Sequence, residues 1–319
     1  MSDLIKTKKY ASGEEFLKDI SYGGEMYQNL NEGFVFRGLQ SGAYKLIPSV
    51  LREKLQVRDA AGIIVDEDKD APFDFANSEF TQVLFEYMEL RNFFDICDKS
   101  NLRLPPIERF RHSLYNLTDL ISSLLVGGDW LPNDLQELAA LAQHYGMKTR
   151  LLDWTTSIET AIYFAVHKEP ELMQDGQSNE NSDYIAIWAL NILAQFGLDT
   201  PLKIIRPPYF GNPNLAAQKG LFTFWKISGL RLSLGEGSNK ENLEVLKRLT
   251  NRTPLDELIA EECKKQNRKG VVMWKLLVPR KDRKVLYKYI RRKNVNAASL
   301  FPGYEGAVRC IQEDRSFDM

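Results

Sequence analysis

A chain of 319 residues with 44% apolar and 27% charged side chains has the composition of a folded globular protein, long enough for one large or two smaller domains, and not that of a disordered polymer. Lys and Arg (42) against Asp and Glu (43) leave a net charge of −1, which excludes a global pull toward nucleic acid and restricts any such partner to a local basic patch. Cys97, Cys263 and Cys310 are scattered, as are the histidines, so neither a disulfide framework nor a metal site is expected; with no apolar leader in Met1–Phe16 and no run long enough to cross a bilayer, the expected setting is the cytoplasm, away from any membrane.

In chain order, GEEFLKDI (13–20) reads as a short helix capped by Ser12. GFVFRGL (33–39) alternates large apolar residues as a strand does, ending in a turn at 40–43. DEDKDAPFD (66–74) reads as a solvated acidic loop. Phe80, Leu84, Tyr87, Met88, Arg91 and Phe94 recur at helical spacing, which predicts a long amphipathic helix over 76–97. Further helices are expected at about 107–116 and from Asn133, as N-cap after Pro132, to His144, with Gly146 as the stop. TRLLDW then reads extended, and SIETAIYFAVHK (157–168) as a helix apolar over most of its surface and deeply buried.

After a polar loop, EPELMQDGQSNENS (169–182), strands are expected at DYIAIWAL (183–190), KIIRPPY and GLFTFWKI, the last two around a turn at 211–213. SGLRLSLGEGSNK (228–240) reads as a loop or short hairpin. Helices near 241–250 and 254–267, the strand VVMWKLLVP (271–279) and a last helix begun by KDRKVLYKYIRRK complete the chain. Helices first, then strands with single helices between and no regular βαβ repeat, predict an α+β fold with a helical insertion, not a doubly wound parallel sheet.

No glycine-rich phosphate loop, HExxH or GxSxG pattern occurs, and SLGEGS reads as a turn. His112 and His167 sit on expected helices and read as structural. His144 ends a helix beside the polar cluster of AQHYGMKTRLLDWTTSIETAIYFAV (142–166), where it either carries protons or caps carbonyls. Residues 280–293 hold eight Lys or Arg against Asp282, with Val285, Leu286, Tyr289 and Ile290 as the expected buried stripe. This basic face is either solvated or meets phosphate or an acidic partner. Arg37 is a charge inside an apolar strand, so it needs a carboxylate or a bound anion. Asp153 is the natural carboxylate for Arg37 or Arg150, either as a structural pair or at a site. Gly38 permits close approach of another backbone or a flat ligand.

VFRG (35–38), YKLIPSVLR (44–52), AQHYGMKTRLLDWTTSIETAIYFA (142–165) and AAQKGLFTFW (216–225) together resemble the FRG-domain family, over about residues 20–230. The strand Arg-Gly, the Thr-Thr-Ser leading into a helix and a later polar residue at a strand start are similar to the ADP-ribosyltransferase superfamily. The resemblance implies a mixed or antiparallel sheet core with additional C-terminal helices. It divides the chain into an FRG domain (1–230, insertion at about 55–135) and a C-terminal α/β extension (231–319) on the same core. It also implies NAD as substrate without a metal, and either ADP-ribosyl transfer to a nucleic acid or protein acceptor or hydrolysis of NAD. A bacterial toxin or phage-defence effector, partnered by an antitoxin or regulatory protein, is the implied setting.

Carried over by position, Arg37, Gly38, Thr156, Ser157 and Tyr163 would bind the cofactor, with Thr155-Thr156-Ser157 bracing the nicotinamide ribose; Arg150 is expected at the cofactor as well. The ring of Tyr163 would stack on nicotinamide or fill core. Gln218 falls where the superfamily has glutamate; it can hydrogen-bond a ribose hydroxyl but cannot act as a base, which passes proton transfer to His144 or Asp153. Arg37, Ser157 and Gln218 are therefore expected on one cleft. The alternative is a catalytically degenerate module that binds a nucleotide, nucleic acid or protein partner.

Overall fold

The computed structural model describes residues 4–30, 32–55, 77–112, 129–168, 180–195, 200–230 and 239–318. The acidic loop at 66–74, residues 113–116 of the helix expected at 107–116, most of the loop at 169–182 and SLGEGS lie outside the described residues.

Seven strands, β1 (Ile5–Lys9), β2 (Phe34–Leu39), β3 (Leu152–Thr155), β4 (Tyr184–Asn191), β5 (Leu202–Ile205), β6 (Gly220–Trp225) and β7 (Met273–Pro279), form one mixed sheet in the order β1-β7-β4-β2-β3-β6-β5. The β1–β7 pair is parallel and the others are antiparallel. Helices α1 (Gly13–Asp19) and α2 (Glu25–Asn29) precede β2. Helices α3 (Glu79–Lys99), α4 (Glu108–His112) and α5 (Asn133–His144) lie between β2 and β3, and α6 (Ile158–Val166) follows β3. Helix α7 (Pro213–Ala217) precedes β6, and α8 (Asn239–Lys247) and α9 (Leu255–Lys265) precede β7. Helices α10 (Arg283–Arg292), α11 (Ala297–Leu300) and α12 (Tyr304–Ser316) follow it. Among the described residues, no helix is long and apolar enough to cross a membrane.

The alternation of strand side chains divides the core. Ala186, Trp188 and Leu190 point to one face with Val35, Trp154 and Leu221, under Leu255 and Ile259 of α9. Ile185, Ile187, Phe34 and Phe36 point to the other, under Ala161 and Ile162 of α6 and Leu286 and Ile290 of α10. Farther along that second face, Phe222 and Phe224 pack against Val83 and Tyr87 of α3 and Leu135 of α5. Phe36 pairs with Thr155 and Asp153 with Phe222, so all four side chains share this face. Two helical layers thus stand side by side on one sheet face, and Asp153 lies between them.

Arg150, expected at the cofactor, is instead bound to α3. It is buried, 2.9 Å from Glu79 and 2.8 Å from Glu86, and Glu86 also accepts from Trp130 Nε1 at 2.7 Å and Gln82 Nε2 at 2.9 Å. Two carboxylates of α3 enclose its guanidinium.

Ser12 caps α1 by accepting the Glu15 N–H at 3.2 Å, and Gly146 ends α5 at φ +96°. Pro132, not Asn133, occupies the N-cap position of α5; the Asn133 side chain accepts from Gln136 instead. On α10 the buried residues are Leu286, Tyr287 and Ile290, while Val285 and Tyr289 are partly exposed. That helix ends at Arg292 and two more follow.

Candidate functional site

Strands β2 and β3 share one residue pair, Phe36–Thr155, and then diverge. The Thr156 N–H donates to Lys219 on the β6 side at 3.2 Å, so by alternation the main-chain groups of Asp153 face β2. Among the described residues, no strand meets them there. Arg37 does: Nη1 donates to the Asp153 carbonyl at 2.7 Å and lies 2.5 Å from Asp153 Oδ1. A guanidinium takes the place of a missing ladder bond.

Gly38 has its own cause. A Cβ there would fall 1.8 Å from the carbonyl oxygen of Ala161, because the backbone of α6 crosses directly over β2. Of the two approaches the glycine permits, the helix backbone is the one observed. The Arg-Gly pair therefore joins two local demands: glycine for the helix crossing and arginine for the gap between strands.

The split opens into a cavity of about 570 Å³ lined by Arg37, Gly38, Asp153 and Thr155 from the strands. Gln143, His144 and Tyr145 line it from the end of α5, Gln218 from the end of α7, and Phe301, Glu305 and Arg309 from the C-terminal helices. The Asp153 side chain is 56% exposed and faces this space. Burial opposes its charge, but the Arg37 guanidinium and its hydrogen bond outweigh that and hold the carboxyl below its ordinary value. Gln143 Nε2 stands 3.5 Å from the same Oδ1, and its own oxygen accepts from the Thr149 hydroxyl. Burial pushes His144 below the usual histidine range, favouring the neutral imidazole, and its ring meets Tyr145 edge-on at 5.3 Å.

Gln218 lines the cavity as the C-cap of α7, not as the first residue of a strand. Its Nε2 donates to the Leu300 carbonyl at 3.2 Å, and its own carbonyl accepts the Thr155 hydroxyl at 2.7 Å. It stitches three elements together.

Thr156 and Ser157 do not join Arg37 and Gln218. They line a second cavity, of about 700 Å³, with Tyr22, Tyr27, Lys219 and Lys293, and the two cavities share Phe36. Ser157 is the N-cap of α6: it accepts the Thr160 N–H at 3.3 Å and donates to Glu159 at 3.1 Å. The expected brace for a nicotinamide ribose is a helix cap facing elsewhere. Tyr163 is likewise corrected to core; fully buried, it donates to Glu313 at 2.7 Å and stacks on His167 with centroids 4.9 Å apart. Burial and this partner raise its hydroxyl pKa, and burial pulls His167 down to about 4.

Sequence reasoning missed Phe301 and Arg309. Their available signal was Asn296 with Ser299, which form a reciprocal cap at α11 and so announce a new helical segment after the basic run.

The family model of the FRG domain matches residues 108–174, the stretch carrying α5, β3 and α6 and, with them, His144 and Asp153. Arg37, Gln218 and Arg309 lie outside the matched segment. Comparison with curated proteins and with solved structures returned no match.

Proposed function

We propose that the first cavity binds NAD and cleaves its nicotinamide–ribose bond, passing the ADP-ribosyl group to water or to a nucleic-acid or protein acceptor. The observation that carries this reading is Asp153, a carboxylate held ionised by Arg37 yet open to the cavity. Breaking an N-glycosidic bond builds positive charge on the sugar, and a fixed anion facing that charge stabilises the transition state without reorganisation. His144, favoured as the neutral base, is suited to accept the proton of the attacking hydroxyl, while nicotinamide leaves with the bonding electron pair. The cavity volume lies within the range of ~300–1,000 Å³ typical of small-molecule sites. Among its aromatic residues, Tyr145 and Phe301 suit flat bases.

Arg37 acts here by positioning Asp153, and Arg150, Tyr163 and Ser157 have no part. An enzyme of this kind would deplete NAD or modify a macromolecule of its host, which suits a toxin or phage-defence effector restrained by an antitoxin or regulatory protein. Purified protein incubated with NAD should release nicotinamide, and Asp153→Asn should slow release ~100-fold, the scale of removing one preorganised transition-state contact. Release unchanged in a folded Asp153→Asn protein would sink the reading.

Gln218 favours a second reading, a nucleotide-binding module without turnover, because its side-chain amide is engaged by Leu300 and cannot act as a base. Nucleotide binding without nicotinamide release would identify it.

A further inference from the structure

Resting on the nucleotide reading, the next question is which group holds phosphate. Among the described residues, the Lys or Arg side chains lining the first cavity are Arg37 and Arg309. Arg37 already has Nη1 engaged by both the carbonyl and the carboxylate of Asp153. Arg309 is held differently. Its Nε donates to Glu313 Oε1 at 3.3 Å, and its guanidinium carbon lies 4.6 Å from the centre of the Phe301 ring. Glu313 is itself buried and fixed, accepting from the hydroxyls of Tyr163 at 2.7 Å and Tyr287 at 3.5 Å. The plane of the guanidinium is thus set by a ring on its face and a carboxylate at its inner edge. Nη1 and Nη2 make no hydrogen bond within the described residues, and the side chain is 29% exposed at the cavity wall.

A planar fork with two uncommitted nitrogens matches two oxygens of a phosphoryl group, and little side-chain entropy is lost when the fork is already fixed. Glu305, exposed on the same helix, also lines the cavity, where solvent screens its repulsion of an anion. We infer that Arg309, seated on Phe301 and braced by Glu313, is the phosphate-binding residue of this cavity. The ligand class is a nucleoside diphosphate or dinucleotide, and the C-terminal helices complete a site whose carboxylate and histidine lie in the FRG-matched segment.

Calorimetric titration of the full chain with ADP and with adenosine tests the assignment. ADP should bind the unmodified protein at least ~10-fold more tightly than adenosine, and Arg309→Gln should weaken ADP ~10- to 100-fold with adenosine unchanged, the scale of losing charged hydrogen bonds. Arg309→Lys keeps the charge but loses the fork, so it should lose part of the ADP preference; it serves as the reading if Arg309→Gln does not fold. Wild-type ADP affinity in both folded variants would overturn the inference while leaving the nucleotide site in place. Failure of both ADP and adenosine to bind the unmodified protein would instead remove the nucleotide reading on which the inference rests.

Discussion

Arg37 meets Asp153 twice, at its main-chain carbonyl and at its carboxylate, and so both closes a gap in the sheet and fixes a charge in the cavity. Structure and chemistry therefore fail together when this arginine is removed. Arg37→Ala should destabilise the protein by about 0.5–1.5 kcal/mol, the net worth of a hydrogen bond whose acceptor water can reach. In the folded fraction the carboxyl pKa of Asp153 should rise. Carbon-detected NMR titration of the side chain reads this directly, and an unmoved Asp153 would show that the pair carries no electrostatic weight.

The same pair sets an acid dependence. The folded-state pKa of Asp153 is lowered, so its contribution to stability is complete above the unfolded value of about 4 and is lost as pH falls through the folded value. The stability gap between the unmodified protein and Asp153→Asn should therefore shrink on acidification below about pH 4. Because the carboxylate is half exposed, solvent screening keeps this gap small. Urea unfolding at neutral and acidic pH measures it; a gap independent of pH would contradict the assignment.

Gly38→Ala tests the helix crossing. A methyl group 1.8 Å from the Ala161 carbonyl cannot be absorbed by a flexible side chain, since the obstacle is backbone. The loss should exceed about 4 kcal/mol, in the class of severe overpacking, or abolish soluble expression. Ordinary stability on denaturant titration would mean that α6 and β2 do not approach as closely as described.

Local pattern made much of this fold legible. The alternation in DYIAIWAL and the helical spacing from Phe80 to Phe94 correspond to β4 and α3, because each element's own periodicity reports the faces it buries. β1 gave no such signal: IKTKK carries three lysines, and it forms a strand because β7 offers a parallel partner distant in sequence. The site was legible by residue type but not by direction. Arg37, His144, Asp153 and Gln218 share one cavity, whereas Ser157 is turned away by its cap bonds and Arg150 by two carboxylates from α3. The partners of Arg150 lie far along the chain and those of Ser157, Thr160 and Glu159, just ahead of it, so adjacency to Asp153 or Thr155 was a poor guide. Arg309 was hidden for a different reason: Glu313, four residues on, and Phe301, eight residues back, are local, but nothing in that stretch says that it faces the cavity.

Arg150→Met should leave Glu79 and Glu86 as uncompensated buried charges and destabilise the protein by about 3–5 kcal/mol. At low temperature the surviving folded protein should bind ADP as before. Lost nucleotide affinity at unchanged stability would return Arg150 to the ligand site.

Tyr163→Phe should cost about 1.5–3 kcal/mol by removing a hydrogen bond to the buried Glu313, measured by thermal or urea unfolding. Nicotinamide release should persist within a few-fold. A large fall in release with unchanged stability would place the ring against the substrate.

The most direct test compares nicotinamide release from NAD by the unmodified protein, Asp153→Asn and Ser157→Ala, each shown to be folded at the assay temperature. The expected result is release by the unmodified protein, a loss of ~100-fold in Asp153→Asn, and near-normal release by Ser157→Ala, whose lost cap costs about 1 kcal/mol of stability. Release that is absent altogether, or that fails in Ser157→Ala while surviving in Asp153→Asn, would contradict the assignment of NAD chemistry to the cavity beneath Arg37.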